Sequence, residues 1–221
     1  MKVLYLRPEG SNVPKLEGVE VINISLFSPR CLQYDDSWRD AEGIAFTSIN
    51  AVRCFRHFPE LRDKKVFAVG PTTARELEKQ GIRAIYPKKY TTVNLAYLMA
   101  ETGLHKLASF RSTEASEKMR EILQNFNYIE IYNYTLELNE SSLIEARSIL
   151  KECKVDAVVL TSSSIARAIA NFLRDCHTII TIGPMTSASL SSLRPDLEFV
   201  ESEESDIEGT VKVIVKLRRG E

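Results

Sequence analysis

The sequence lacks most of the features that announce a cofactor or a nucleophile. Only nine of its 221 residues are glycine, and none of them forms the G-x-G-x-x-G turn of a dinucleotide site or the G-x-x-x-x-G-K-[ST] loop that cradles phosphates. No G-x-S-x-G elbow presents a serine, and no histidine is placed to serve one, which excludes a serine hydrolase of that type. His57, His105 and His177 are scattered without H-x-x-x-H or paired Cys/His spacing, so no metal site is expected. Cys31, Cys54, Cys153 and Cys176 show no C-x-x-C spacing and are expected to be buried thiols, because an intracellular chain of this size does not need disulfides. No apolar run approaches a bilayer span, and the opening MKVLYLR is broken by Arg7 and Pro8 too early for a signal peptide. A cytoplasmic protein is therefore expected, with no membrane partner. With 29 Lys+Arg against 30 Asp+Glu the net charge is −1, so no global field draws nucleic acid, and any anion site must be local.

What is present is a repeat. VFAVGPTTARELEKQG from Val66 to Gly81 is echoed by IITIGPMTSASL from Ile179 to Leu190, with Gly70-Pro71 and Gly183-Pro184 at an offset of 113 residues (183 − 70). The preceding runs repeat too: GIAFTSINAV from Gly43 aligns with DAVVLTSSSIA from Asp156 and places Ser48 on Ser162. Each motif is a short apolar run ending in hydroxyl residues that open a helical pattern, which reads as strand, tight turn, helix. The chain is built twice, as two domains.

The middle of the chain offers five strands, GIAFTS, KVFAVG, RAIYP, KLASFRS and YIEIYNYTL, separated by helical patterns. Such alternation predicts a parallel sheet covered on both faces. Capping boxes are expected at Thr73–Glu76, Ser142–Glu145 and Ser205–Glu208, with Thr91 or Thr92 and Ser112 or Thr113 as further caps. After Leu136 only DAVVLTS, TIITIG and LEFVES remain, two strands short. The N-terminal strands KVLYLR and VEVINISLF supply the deficit, since Lys2–Pro8 matches Lys106–Ser112 in pattern. The expected architecture is α/β: two flavodoxin-like parallel-sheet lobes joined by a two-stranded linker. Residues 1–27 and 138–221 form a discontinuous lobe, and 28–137 an inserted one. The connection containing Pro8, Gly10 and Pro14 reads as a loop or short irregular helix.

Strand C-termini that feed helix N-termini present free N–H groups and a positive dipole end, which suits anions. The candidates are Thr47, Ser48, Asn50, Thr72, Thr73, Arg111 and Ser112 in the inserted lobe. Arg7, Thr161, Ser162, Ser163, Ser164, Gly183 and Thr186 are their counterparts in the other. Any one hydroxyl could simply be an N-cap; the matched recurrence in both lobes is what argues for a cleft that takes an acidic ligand. Lys88, Lys89 and Tyr90 read as a solvated surface, and the acidic run Glu201–Asp206 as a dipole partner for the last helix.

The residues FTSINAV, VGPTTARELEKQG, IYNYT, LTSSS and IGPMTSASL together resemble the uroporphyrinogen-III synthase family along nearly the whole chain. The resemblance implies a cofactor-free cyclisation of hydroxymethylbilane, an anionic linear tetrapyrrole, to uroporphyrinogen III with loss of water and inversion of ring D. It implies that Tyr132 in IYNYT assists departure of the hydroxyl, with Tyr134 a rival two residues along and so on the same strand face. It further implies that Ser48, Thr73, Ser162 and Thr186 hold substrate carboxylates. Ser163 and Met185 depart from the common family form, where proline follows the serine and threonine follows Gly-Pro. The lobes are expected to close on the substrate. The protein is expected to act as a monomer that touches the enzyme supplying the bilane only transiently. The rival reading is a non-catalytic two-lobed sensor of tetrapyrroles or other polyanions; nothing in the sequence resembles a DNA-binding or signalling output.

Overall fold

The computed structural model describes residues 1–8, 14 and 16–220. The chain divides into two compact units: Pro29–Leu136, and Met1–Ser28 together with Glu137–Glu221. Most of the Pro8–Pro14 connection lies outside the described residues. The fold is mixed α/β, and every strand pair with a described register is parallel.

In the first unit β3 (Gly43–Phe46), β4 (Lys65–Ala68), β5 (Lys106–Ser112) and β6 (Asn127–Leu138) lie in the order β4-β3-β5-β6. The expected strand RAIYP shrinks to one bridge: Ile85 pairs with Phe67, its N–H donating to Val66 and its carbonyl accepting from Ala68. Pro87, two residues on, has no N–H to give. The other unit has β1 (Lys2–Pro8), β2 (Glu20–Cys31), β7 (Ala157–Leu160), β8 (Thr178–Thr181) and β9 (Val200–Glu201) in the order β2-β1-β7-β8-β9. Counting Ile85 as a vestigial third strand, both units share the order 3-2-1-4-5, with the N-terminal pair taking positions 4 and 5 of the second. Numbered in chain order, with the N-terminal pair first, the second unit reads 2-1-3-4-5.

Apolar side chains pack on both faces of each sheet, as parallel strands require. In the first unit Trp38, Phe46, Phe55 and Phe110 fill one face, while Phe67, Leu95, Met99 and Leu107 fill the other. Trp38 is completely buried and meets Phe55 and Phe110 edge-on, a packing residue. In the second unit Leu4, Leu6, Val158 and Leu160 face one side and Val3, Tyr5, Val159 and Ile180 the other.

The two units share an irregularity that the alternation of the sequence does not reveal. Along β6, Arg111 pairs with Tyr132 but Ser112 pairs with Tyr134, leaving Asn133 as a bulge; along β2, Arg7 pairs with Ser25 but Pro8 with Phe27, leaving Leu26. The two bulged carbonyls are used alike: that of Asn133 accepts from Leu32 N–H at 2.9 Å and that of Leu26 from Asn139 N–H at 2.8 Å.

Helix starts differ from the sequence expectation. Helices α2 (Pro71–Glu78) and α7 (Pro184–Leu193) begin on proline with Gly70 and Gly183 as N-caps, which puts Thr73 and Thr186 in the third helical position. Glu76 therefore makes no capping box and pairs with Arg53 and Lys79. Helix α5 (Glu140–Lys151) is capped by Asn139 and α8 (Ile207–Arg219) by Asp206, displacing Ser142 and Ser205. Ahead of α4 (Lys118–Ile122), Ser112 still belongs to its strand, whereas Thr91 does cap α3 (Thr92–Ala100).

The cysteines also depart from expectation. They form two disulfides, Cys31–Cys54 within the first unit and Cys153–Cys176 within the second, each spanning 23 residues. Only Cys54 is buried. No short spacing links these cysteines, but the equal separation of 23 residues in each half, repeated at an offset of 122 residues (153 − 31 and 176 − 54), is a duplication signal that a search for C-x-x-C passes over.

Candidate functional site

In the first unit the strand ends converge on Tyr134. Thr47 Oγ1 donates to the Phe110 carbonyl at 3.2 Å. Ser48 caps α1 (Ile49–Arg53), accepting from Ala51 N–H at 3.0 Å, and its hydroxyl donates to the Tyr134 hydroxyl at 2.9 Å. A recess of about 260 Å³ opens here, with Thr47, Arg111, Ser112, Glu114 and Tyr134 in its wall. Burial raises the Tyr134 phenol above its usual pKa, against the opposing hydrogen bonds from Ser48 and Ser112. Thr73 is buried in the first turn of α2, whereas Thr72 is exposed beside it. Gly70 is close-packed: a Cβ there would lie 3.0 Å from Tyr90 Cβ.

Tyr132 belongs to a different group. Because the Asn133 bulge reverses side-chain parity, Tyr134 packs with Ile131 and Phe110, while Tyr132 lies on the opposite face with Tyr128 and Glu130. The two tyrosines are thus not on one strand face, as simple alternation suggested. The Tyr132 hydroxyl donates to Glu130 Oε2 at 2.9 Å and accepts from Arg120 Nη2 at 3.2 Å, and the residue is 37% exposed. Its pKa is raised by partial burial first and then by Glu130, with Arg120 and Arg111 opposing. Arg111, completely buried, pairs with Glu130 and donates to the Ser116 carbonyl at 2.9 Å.

The second unit repeats part of this pattern. Thr161 Oγ1 donates to the Leu6 carbonyl at 2.8 Å, the counterpart of Thr47 on Phe110, and Ser162 caps α6 (Ser163–Ile169) through Ile165 N–H at 3.2 Å. Ser163 Oγ donates to the Met185 carbonyl at 2.9 Å. Thr186 is buried, its N–H on the Gly183 carbonyl. Gly183 is required by contact rather than by dihedral angle, since a Cβ would collide with Ser205 Oγ. Arg7 is buried and bonded to Asn23, and burial lowers its pKa. Thr47, Ser48, Arg111 and Ser112 thus gather at one strand-end cluster, and Arg7, Thr161, Ser162, Ser163, Gly183 and Thr186 stand at or beside the corresponding strand ends of the second unit. Sequence reading missed Glu130 and Arg120. The alternation Tyr128-x-Glu130-x-Tyr132 marks one strand face and could have exposed Glu130; nothing in the sequence ties helix α4 to it.

Among the described residues, one Cys/His group has metal-compatible spacing, Cys153, Cys176 and His177, and its two sulfurs are joined to each other. No described helix is long and apolar enough to cross a membrane.

Duplicated strand–turn–helix units with capped Thr-Ser and Gly-Pro turns define an α/β protein that offers matched polar strand ends in each half, without a nucleotide loop or a catalytic triad. Comparison with known proteins narrows this class. The family model described as "Uroporphyrinogen-III synthase HemD" matches residues 18–212. A provisionally named uroporphyrinogen-III synthase of Archaeoglobus fulgidus is 28% identical over 206 residues, covering 86% of this chain and 88% of that protein. Among solved structures, a uroporphyrinogen-III synthetase from Helicobacter pylori aligns with a TM-score of 0.64 at 15% identity over 98% of this chain and 100% of that one. A mutant uroporphyrinogen III synthase from Thermus thermophilus aligns at 0.53 and 12% identity, covering 100% of this chain and 99% of that one. The chain belongs to the uroporphyrinogen-III synthase family. Its activity is that of a hydro-lyase of porphyrin biosynthesis, the cyclisation of hydroxymethylbilane to uroporphyrinogen III.

Proposed function

We propose that Tyr132 assists the loss of the substrate's terminal hydroxyl and that the strand-end turns hold its carboxylates. Departure of the hydroxyl as water leaves an azafulvene cation. The substituted end of ring D attacks it, and the resulting spiro intermediate fragments and recloses with ring D inverted. The unaided bilane closes without inversion, so the enzyme's work is to hold the ends in the less accessible geometry. Ser48, Thr72, Thr73 and Ser112 in one lobe, and Thr161, Ser162, Ser163, Gly183 and Thr186 in the other, serve this chiefly through the backbone N–H groups of the helix starts, with Arg7 and the Glu130-paired Arg111 on the adjoining strands.

The observation that carries the assignment to Tyr132 is the contrast between the two tyrosines. Tyr132 is 37% exposed, with its hydroxyl between a carboxylate and a guanidinium, whereas Tyr134 is 6% exposed and its oxygen accepts from Ser48. The test is the cyclisation rate of Tyr132→Phe and Tyr134→Phe. A loss of roughly 10²-fold in the first and little in the second is expected; the reverse pattern would move the role to Tyr134. In the same reading the lobes divide near residues 27/28 and 137/138. The enzyme acts in the cytoplasm as a monomer, and sedimentation at assay concentration checks that state.

A further inference from the structure

Glu130 is the centre of a hydrogen-bond network that the proposed reaction has not yet used. Its side chain is 4% exposed, and its two oxygens are divided between two pairs of donors. Oε1 takes Arg111 Nη1 and the Tyr128 hydroxyl at 3.3 Å; Oε2 takes Arg120 Nη2 at 2.5 Å and the Tyr132 hydroxyl at 2.9 Å. A carboxylate has about four lone-pair sites, and all are occupied. The Tyr132 proton is therefore directed at a buried anion, and the phenol oxygen takes its own hydrogen bond from the same Arg120 nitrogen at 3.2 Å.

The fold itself does not demand this arrangement. In the other lobe the buried arginine of the matching strand is Arg7, Asn23 stands where Glu130 does, and Ser25 pairs with Arg7 as Tyr132 pairs with Arg111. A neutral amide is enough to seat the arginine there. Among the described residues, the carboxylate, the phenol and the second guanidinium occur together in one lobe only.

A phenol hydrogen-bonded to a carboxylate is a poor proton donor, because the phenolate it leaves faces a like charge, and Arg111 offsets Glu130 only at Oε1, away from Tyr132. Arg120 alters that. It neutralises Glu130 on the Tyr132 side and places a cation against the oxygen on which negative charge develops. We propose that Arg120, held by Glu130, is a positioning residue that fixes the Tyr132 phenol and enables it to give up its proton to the departing hydroxyl. This rests on the assignment of Tyr132 above. The phenol O–H, which rests on Glu130 in the free protein, turns to the substrate, and its proton passes to the hydroxyl oxygen as the C–O bond breaks and water leaves. Tyr132 recovers a proton when the pyrrole carbon that closes the macrocycle loses its own.

The test is a double-mutant cycle on kcat and KM for isomer III formation, using Arg120→Gln, Tyr132→Phe and the double variant of the full chain. Arg120 is a half-exposed side chain, and circular dichroism with thermal melting checks that each variant folds. The expected result is a kcat about tenfold lower in Arg120→Gln with KM little changed, and no further loss when it is added to Tyr132→Phe. Multiplying fold-losses, or an Arg120→Gln effect confined to KM, would overturn the positioning role and leave Tyr132 standing. An unimpaired Tyr132→Phe would remove the assignment of Tyr132 and the inference with it.

Discussion

Reduction of the two disulfides should destabilise each lobe separately, and the size of the effect follows from loop length. Each bridge closes a loop of 23 residues, one per lobe. In the chain-entropy treatment such a constraint raises the free energy of the unfolded state by about 3 kcal/mol. For lobes of this size that corresponds to a melting temperature on the order of 10 °C lower once a bridge is lost. Three of the four sulfurs belong to exposed residues, Cys31, Cys153 and Cys176, so a phosphine reductant reaches both bonds without prior unfolding. Cys54 packs among Val52, Phe55 and Phe46, so Cys31→Ala/Cys54→Ala combines the loss of the bridge with the loss of one buried sulfur. Cys153→Ala/Cys176→Ala is the cleaner variant. Melting followed by circular dichroism, with and without reductant, gives the stability change, and thiol titration of the denatured, unreduced protein gives the bonding state. About four titratable thiols, together with a melting temperature indifferent to reductant, would refute the pairing and restore the expectation of free thiols.

Gly183→Ala should cost about 1–3 kcal/mol by denaturant titration, because the added carbon collides with Ser205 at Oγ and also meets its Cβ at 3.0 Å; Gly70→Ala should cost less, since its nearest contact, Tyr90 Cβ at 3.0 Å, needs only a small shift. Phe110→Ala, which empties the centre of an aromatic core, should cost about 3–5 kcal/mol in the same titration. Tyr134→Phe removes the acceptor of the Ser48 hydroxyl and should lower stability by about 1 kcal/mol. Alkaline stability has a definite sign: burial raises the phenols of Tyr5, Tyr34, Tyr128 and Tyr134 above their ordinary value of about 10. The folded state then holds protons that the unfolded chain has released. Unfolding free energy should be insensitive to these groups below about pH 9.5 and fall as the pH rises past 10, which urea titrations at pH 8.5 and 10.5 compare directly.

The duplication was legible because both copies keep the same strand-end chemistry, Thr-Ser before one helix and Gly-Pro before the other. The lobe-crossing role of the N-terminal strands was legible by subtraction, since the second lobe lacked two. Three features were hidden, each for a physical reason. The T-x-x-E pattern at Thr73 looks like a cap, but Pro71 already has the backbone angle of a first helical residue, so the helix begins three residues earlier, with Gly70 as its cap. A bulge adds one residue without any compositional mark, so the tyrosines of IYNYT looked aligned when they face opposite ways. The Arg120–Glu130–Tyr132 group is brought together by the tertiary path between strand and helix, which local spacing does not encode, and the cysteine pairs show only as equal 23-residue separations, not as a short motif.

The central claim, that this chain directs ring inversion, is tested most directly by the isomer it makes. Hydroxymethylbilane generated in the same vessel is allowed to react, the product is oxidised, and porphyrin isomers I and III are separated by chromatography. Predominantly isomer III is the predicted result. Isomer I alone, from folded protein that still binds the bilane, would contradict the account and leave a tetrapyrrole-binding module without the chemistry.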